Sequence, residues 1–158
     1  MKVASIHELQ KKLKSLEPKE VLELCVRLAK YKKDNKELLS YLLFEAHDEK
    51  TYIKNIKEQM DEEFWAINRN TSYLTKKSLR KILRGVNKFI KYSGIKQTEI
   101  ELRIYFCTKV KAARIPIDTS VVLSNLYNRE IEKIKTILSK LHEDLQYDYK
   151  QELEKLMQ

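Results

Sequence analysis

The feature that most constrains the fold is the scarcity of residues that turn the chain. The 158 residues include only two Gly and two Pro. A sheet built from hairpins needs Gly, Pro, Asn or Asp at every reversal, whereas long helices need few such residues. An apolar content of 42% beside a charged content of 35% is typical of a helical protein with charged faces. The sequence therefore predicts long helices joined by short loops.

The first part of the chain predicts three helices. Ser5 to Glu8 has the pattern of a capping box that opens a short helix ending near Ser15. Pro18 fits the first turn of a second helix, which runs to about Lys33, because its missing N–H is not needed there. The segment Leu38 to Phe44 is apolar nearly all round, which predicts a third helix covered on several sides. The residues expected to face inward from the second helix are Val21, Leu22, Leu24, Cys25 and Leu28.

The remainder predicts longer helices. A fourth begins after Asp48, and a fifth, over about 73–92, ends at Gly94, a natural left-handed terminator. A sixth begins near Thr98 and ends before Pro116; its apolar residues cover much of its circumference, so it is expected to be central. From 120 to 158 the spacing predicts one long helix and a shorter one, with the apolar stripe losing phase around 146–148.

These elements define an all-α fold of seven to eight antiparallel helices in a single domain over 1–158. Consecutive helices with short loops pack as antiparallel neighbours. Two arrangements remain open: an irregular bundle and a short HEAT-like α-solenoid. The sequence has no fixed repeat period, so a solenoid would be irregular.

Composition also predicts the compartment. Cys25 and Cys107 lie within apolar helical patterns and are expected to be buried, reduced thiols. No stretch of about 18 apolar residues is present, so no transmembrane segment is expected. The N-terminal residues lack the apolar core of an export signal. Together these features predict a cytoplasmic protein.

The positive charge is concentrated in one segment. No carboxylate occurs between Glu63 and Glu99, whereas nine Lys and Arg do. Residues 72–114 hold twelve Lys and Arg against two Glu, a net of +10, which accounts for the whole formal charge of +9. A concentrated positive field attracts polyanions.

The fifth helix places these cations on one side. At about 100° per residue, six basic side chains fall within an arc of roughly 100°, opposite an apolar arc of about 120°. Like charges three or four residues apart repel, and no carboxylate in the helix offsets them. The candidate polyanion-binding residues are Lys77, Arg80, Lys81, Arg84, Lys88 and Lys91.

Other interpretations of this face remain open. It is either a solvated face, a face paired internally, or a site for nucleic acid, an acidic protein or a membrane surface. Four carboxylates of the fourth helix are candidates for masking it: Glu58, Asp61, Glu62 and Glu63. Basic residues of the sixth helix would extend it if they face the same way: Arg103, Lys109, Lys111 and Arg114. Aromatic residues that could stack on bases are Trp65, Tyr73, Tyr92 and Tyr105.

The chain carries no recognised nucleic-acid module and no catalytic signature. A helix-turn-helix around Gly94 is disfavoured, since the helix before it is too long and Ile90 occupies a position that needs a small residue. The three histidines, His7, His47 and His142, lack the spacing of metal ligands. No acid, base and nucleophile converge in the pattern. We therefore expect no cofactor, no metal and no enzymatic activity.

The segment Leu13-Lys14-Ser15-Leu16, with Glu20, Leu22, Glu23 and Leu24 and then Lys36-Glu37-Leu38-Leu39, resembles an uncharacterised family of small bacterial helical proteins. The resemblance covers about the first 40 residues. It implies an all-α cytoplasmic protein of unknown function and carries over no catalytic residue. The predicted architecture is also loosely similar to HEAT-like helical stacks, which implies binding by analogy of fold alone.

The sequence thus predicts a non-catalytic binding protein whose basic helix contacts a polyanion such as a nucleic-acid backbone. The alternative is a protein–protein interaction scaffold with an incidental basic face. An exposed apolar groove would favour the alternative. Partner identity and oligomeric state remain open.

Overall fold

The computed structural model describes residues 1–158 and consists of eight α-helices, one π-helical turn and no strands. The predicted all-α fold is confirmed. The helices are α1 Ile6–Lys14, α2 Pro18–Tyr31, α3 Lys33–Ser40, α4 Glu49–Trp65, α5 Ser72–Ser93, α6 Lys96–Ala112, α7 Val121–Leu138 and α8 Glu143–Met157. The π-helical turn Tyr41–Glu45 follows α3 directly.

The chain forms two compact units, an N-terminal unit of Met1–Phe44 and a C-terminal unit of Glu45–Gln158. The single domain over 1–158 stays a prediction, because compactness does not measure whether either unit folds alone.

Several helix ends follow the sequence signals. In the predicted capping box, the Ser5 N–H donates to Glu8 Oε2 at 2.7 Å and the Glu8 N–H donates to Ser5 Oγ at 3.3 Å. Pro18 opens α2. The Thr51 N–H donates to Asp48 Oδ1 at 3.1 Å, so Asp48 caps α4. Each contact satisfies a backbone donor that the first helical turn leaves without a partner.

The N-terminal unit differs from the prediction in its burial. The helices α1, α2 and α3 contain no buried residue. In α2, Leu22 and Leu28 are about 60% exposed and Cys25 is exposed as well. The predictions that this face of the second helix points inward and that Cys25 is buried are therefore wrong. Periodicity identifies the apolar face of a helix but not whether another element covers it.

The predicted third helix is also corrected. The segment splits into α3 and the π-helical turn, and only Tyr41 of that turn is buried. Leu42, Leu43 and Phe44 are 56%, 62% and 70% exposed. An apolar circumference predicted a central helix, but these side chains lie on the surface.

The C-terminal unit packs around α6. This helix contacts α4, α5, α7 and α8. Its side chains include Ile100, Leu102, Phe106 and Cys107, each 0% exposed. The prediction that this helix is central is confirmed, and so is the buried Cys107. A helix in contact with four others gives this unit a bundle arrangement, unlike a stack in which each layer meets only its neighbours.

The last part of the chain forms two helices with a break earlier than the sequence suggested. α7 ends at Leu138 and α8 begins at Glu143. The His142 side chain caps α8 by accepting from the Asp144 N–H at 3.4 Å. The predicted long helix and shorter helix are confirmed, but their junction does not lie at 146–148, since those residues are within α8.

Candidate polyanion-binding groove

Helix α5 has the two faces that its sequence predicts. Leu79, Ile82, Leu83, Val86 and Ile90 are buried, whereas Lys77, Arg80, Lys81, Arg84 and Lys91 are exposed. Its ends are fixed locally: the Leu74 N–H donates to Thr71 Oγ1 at 3.2 Å, and Gly94 terminates the helix with φ 67°. The packing of one face against the bundle therefore holds the cations on the opposite side.

A groove runs between α5 and α7. Its volume is about 630 Å³. The α5 wall carries Lys76, Lys77, Arg80 and Arg84, and the α7 wall carries Arg129 and Lys133. Uncharged residues complete the lining: Tyr73, Leu83, Asn87, Val122, Asn125 and Leu126. The single carboxylate in the lining is Glu130. A concave surface lined by one sign of charge concentrates its field on a bound ion of the opposite sign.

The structure brings together only part of the predicted set. Lys77, Arg80 and Arg84 line the groove. Lys91 lines an adjoining depression that shares Asn87 and Lys133 with the groove. Lys81 and Lys88 lie on the same helix but line neither of these cavities.

Three of the groove's cations are not among the residues predicted from the sequence. Lys76 lies next to the predicted arc, and Arg129 and Lys133 lie about 50 residues further along the chain. Residues 115–158 hold six Lys and Arg against eight Asp and Glu, so no local excess of charge marks the α7 wall. Only the packing of α7 beside α5 identifies it.

Most cations of this surface have no protein partner. The structure contains no ion pair or side-chain hydrogen bond for the set Lys76, Lys77, Arg80, Lys81, Arg84, Lys91 and Arg129. Lys88 differs, because its Nζ lies 5.5 Å from the centroid of the Phe89 ring and it takes part in further contacts. Charges without partners in the fold remain available to an external anion.

The carboxylate in the groove is already neutralised. Glu130 has a side chain only 3% exposed, and its two oxygens each accept a contact of 2.6 Å, one from Arg103 Nη1 and one from Lys133 Nζ. Arg103 also donates to Glu99 Oε1, from Nε at 2.9 Å and from Nη2 at 2.7 Å. This buried network joins α6 to α7 beneath the groove. The network neutralises the Glu130 carboxylate, whose charge would otherwise offset the remaining cations of the groove.

The four carboxylates of α4 that the sequence offers as candidates do not mask the cations of α5. Asp61 contacts Lys109 Nζ at 2.8 Å, and Glu58 contacts Lys54 within its own helix at 3.8 Å. Glu63 accepts from Gln59 at 3.0 Å. None of the four candidate carboxylates pairs with a cation of α5. These four carboxylates therefore do not neutralise the cations of α5.

Asp61 forms a local site of its own with Tyr105 and Lys109. Burial raises the pKa of this carboxyl, but hydrogen bonds from Lys109 and Tyr105 outweigh it and the net pKa is lowered. Burial and the hydrogen bond to Asp61 raise the pKa of Tyr105 to about 12. The Tyr105 hydroxyl lies 2.8 and 2.9 Å from the two Asp61 oxygens. This cluster ties α4 to α6.

The sequence predicts that four basic residues of the α6 segment extend the basic patch if they face the same way. This is wrong for two of them, which are paired within the fold. Arg103 is buried against Glu130, and Lys109 pairs with Asp61. Lys111 donates to the Lys155 carbonyl at 3.4 Å. Arg114 follows the helix with a positive φ of 51°. The cations of α6 therefore serve mainly to join helices.

Of the aromatic candidates, one reaches the groove. Tyr73 is 71% exposed and lines the α5 wall. Trp65 is 92% exposed but does not line the groove, and Tyr92 packs edge-on against Phe89 with centroids 6.3 Å apart. The Tyr105 hydroxyl donates a hydrogen bond to Asp61. Only Tyr73 is placed to stack on a ligand held between α5 and α7.

The structure brings no three potential metal ligands together: no group of His, Cys, Asp and Glu has that arrangement. The Cys107 thiol has a raised pKa, first because it is buried and then because Glu130 lies nearby, so the nucleophilic thiolate is disfavoured. None of the helices has the length and apolar content needed to cross a bilayer.

Comparisons with protein-family models, with curated proteins and with solved structures find no match to this chain. The resemblance of the first 40 residues to a bacterial helical family stays a prediction. The fold and the groove define an all-α protein with a cation-lined cleft between two helices of a bundle.

Proposed function

We propose that this protein binds the phosphate backbone of a nucleic acid in the groove between α5 and α7. The observation that supports the proposal is the set of groove cations without partners: Lys76, Lys77, Arg80, Arg84 and Arg129. Surface cations are usually interspersed with carboxylates, and here the one carboxylate present is held by Arg103 and Lys133.

The length of the cation row favours an extended ligand. Lys77 and Lys91 are fourteen residues apart, which is about 21 Å along an α-helix. Duplex DNA carries about one negative charge per 1.7 Å of its axis, so a backbone along α5 offers several phosphates to the row. A small anion would neutralise only part of it.

The proposed binding is independent of base sequence. Contacts from Lys and Arg to phosphate fix the position of a nucleic acid without reading its bases. Tyr73 at the groove adds a surface on which any base can stack. We therefore expect similar affinities for unrelated sequences of the same length.

The test is a titration of fluorescent single-stranded and duplex nucleic acid at about 50 mM and about 200 mM salt, followed by fluorescence anisotropy. For five or six phosphate contacts we expect the slope of log K against log salt to be about −4.5 to −5.4 for the duplex and about −3.5 to −4.2 for the single strand. The triple variant Lys77→Gln/Arg80→Gln/Arg84→Gln should bind at least about tenfold more weakly and reduce the slope by about 3.

A matched control separates the groove from net charge. The variant Lys50→Gln/Lys150→Gln/Lys155→Gln removes the same charge from exposed positions on α4 and α8. It should bind almost as tightly as the unchanged protein. Arg129→Gln, on the α7 wall, should weaken binding, whereas Lys81→Gln, which lies outside the groove, should have a smaller effect. Absence of binding at the lower salt concentration would refute the proposal.

A second function, protein–protein interaction, is favoured by a different observation. The N-terminal unit exposes large apolar side chains on α2 and on the π-helical turn, among them Leu22, Leu28, Leu43 and Phe44, each at least 60% exposed. Adjacent exposed apolar residues mark interaction surfaces. We propose this unit as a second site, separate in its residues from the groove.

A further inference from the structure

The groove between α5 and α7 has apolar surface as well as cations. Leu83 and Leu126, which are 8% and 9% exposed, line it from the buried side. Tyr73 and Val122, which are 71% and 43% exposed, line it at the surface. A phosphate backbone gains nothing from apolar or aromatic surface, whereas the flat face of a nucleobase stacks on it. The lining therefore fits a ligand that presents bases together with phosphates.

The aromatic residue lies at one end of the groove. Asn87 and Lys91, in the later part of α5, share a cavity with Lys133, in the later part of α7. Tyr73 and Val122 belong to the first turns of the same two helices, so they line the opposite end. A strand that follows the cations of α5 toward its N-terminus thus ends beside the Tyr73 ring.

Two uncharged amides lie between the cations. Asn87 and Asn125 line the groove, and neither side chain has a hydrogen bond within the protein. Each amide offers both a donor and an acceptor, so either one can pair with the edge of any base. The edges of bases are free for such contacts in a single strand but are occupied by base pairing in a duplex.

The position of the cations also favours a single strand. They come from both walls, with Arg80 and Arg84 on α5 and Arg129 on α7. Helices that pack side by side have axes about 8–10 Å apart, so the groove between them is too narrow to admit a duplex. A duplex would rest on the rim with its bases stacked in its own interior, out of reach of Tyr73. A single strand can lie between the walls.

We propose that the groove is a site for single-stranded nucleic acid, with phosphates held by the cations of both walls and a base stacked on Tyr73. The inference rests on the proposed nucleic-acid binding and names the class of ligand. Charge alone predicts the opposite preference, because a duplex carries more phosphates per unit length than a single strand. A preference for the single strand therefore reports contacts to bases.

The test is a competition assay on the full chain at about 50 mM salt, with a fluorescent single strand of about twelve nucleotides as the bound probe. The competitors are the same strand without label, its duplex, and a strand of equal length that lacks its bases. At equal phosphate concentration, we expect the single strand to compete at least about tenfold better than the duplex. It should also compete at least about fivefold better than the strand without bases.

Substitution of Tyr73 separates stacking from charge. Tyr73→Ala should weaken binding of the single strand at least about fivefold but leave binding of the duplex and of the strand without bases unchanged. Tyr73→Phe keeps the aromatic face and should bind like the unchanged protein. The matched control is Tyr147→Ala, since Tyr147 is 68% exposed on α8 and does not line the groove. It should leave all three affinities unchanged.

The outcomes distinguish this inference from the function on which it rests. A single strand that binds no more tightly than the duplex, or no more tightly than the strand without bases, would overturn the single-strand site and retain binding through phosphates. A Tyr73→Ala variant that binds the single strand as tightly as the unchanged protein would overturn the stacking. Failure of all three nucleic acids to bind would overturn both proposals.

Discussion

Helices α5 and α6 come from the same basic segment of the sequence but use their cations differently. On α5, Arg80 and Arg84 have no partner in the fold and line a groove. On α6, Arg103 is buried against Glu130 and Lys109 pairs with Asp61. The comparison shows that local charge density does not reveal which cations are available to a ligand. Availability depends on the carboxylates that the fold places beside them, and those come from α4 and α7.

The sharpest test of this difference is to remove one arginine from each helix. Arg103→Met leaves Glu130 buried with only Lys133 as a partner, so we expect the free energy of unfolding to fall by about 3–5 kcal/mol. Arg84→Met on α5 should change it by no more than about 0.5 kcal/mol. Urea denaturation followed by circular dichroism measures both.

A paired substitution provides the control for that prediction. Arg103→Met combined with Glu130→Leu removes both buried charges, so it should recover part of the loss. If Arg103→Met alone cost less than about 1 kcal/mol, the distinction between structural and free cations would fail.

Substitution of the glycine between α5 and α6 gives the next largest expected change in stability. Gly94 ends α5 with φ 67°, a conformation that other L-residues rarely adopt, so Gly94→Ala should destabilise the protein by about 1–2 kcal/mol. Gly85 lies within α5, and an added Cβ there would meet no atom within 4 Å. Gly85→Ala should therefore stabilise by up to about 1 kcal/mol. Thermal unfolding of the two variants should show shifts of opposite sign.

The hydrogen bond between Tyr105 of α6 and Asp61 of α4 predicts that the stability of the fold depends on pH. Because the pKa of Tyr105 is raised to about 12 in the folded protein, its neutral form contributes stability below its unfolded pKa of about 10, and this is lost as the pH rises through 12. Tyr105→Phe should cost about 1 kcal/mol at neutral pH by removing the hydrogen bond to Asp61. The difference between the two proteins should shrink between about pH 10 and 12.

Urea denaturation at several pH values measures that difference. Tyr147→Phe, which removes an exposed hydroxyl without a hydrogen-bond partner, serves as the control and should leave stability at neutral pH unchanged. A constant difference between the unchanged protein and Tyr105→Phe across this range would contradict the assignment of Tyr105.

The smallest expected change in the free energy of unfolding comes from repulsion among the cations of α5 that have no partner. Arg80 and Arg84 are four residues apart on α5 and repel each other and their neighbours. Arg80→Gln/Arg84→Gln should raise the free energy of unfolding by a few tenths of a kcal/mol while it weakens binding to nucleic acid. Lys50→Gln/Lys150→Gln is the matched control. A loss of stability in the α5 variant would indicate that these arginines have structural partners.

The sequence predicts both the bounds and the buried face of α5, but only the bounds of α2. Both have clear amphipathic patterns, and both form helices near the expected bounds. The apolar face of α5 is buried, as expected, but that of α2 is exposed. Periodicity predicts that a helix forms and which of its faces is apolar, because both depend on local spacing. It does not predict what covers that face.

The sequence by itself determined the all-α class, the capping of α1 and α4, the end of α5 at Gly94 and the placement of cations along one side of α5. Each follows from interactions within a few residues of the chain. Tertiary structure alone decided that Arg129 and Lys133 complete the groove, that Arg103 pairs with Glu130 beneath it, and that Lys109 pairs with Asp61. These contacts join residues tens of positions apart, and only the packing of the helices around α6 brings them within reach.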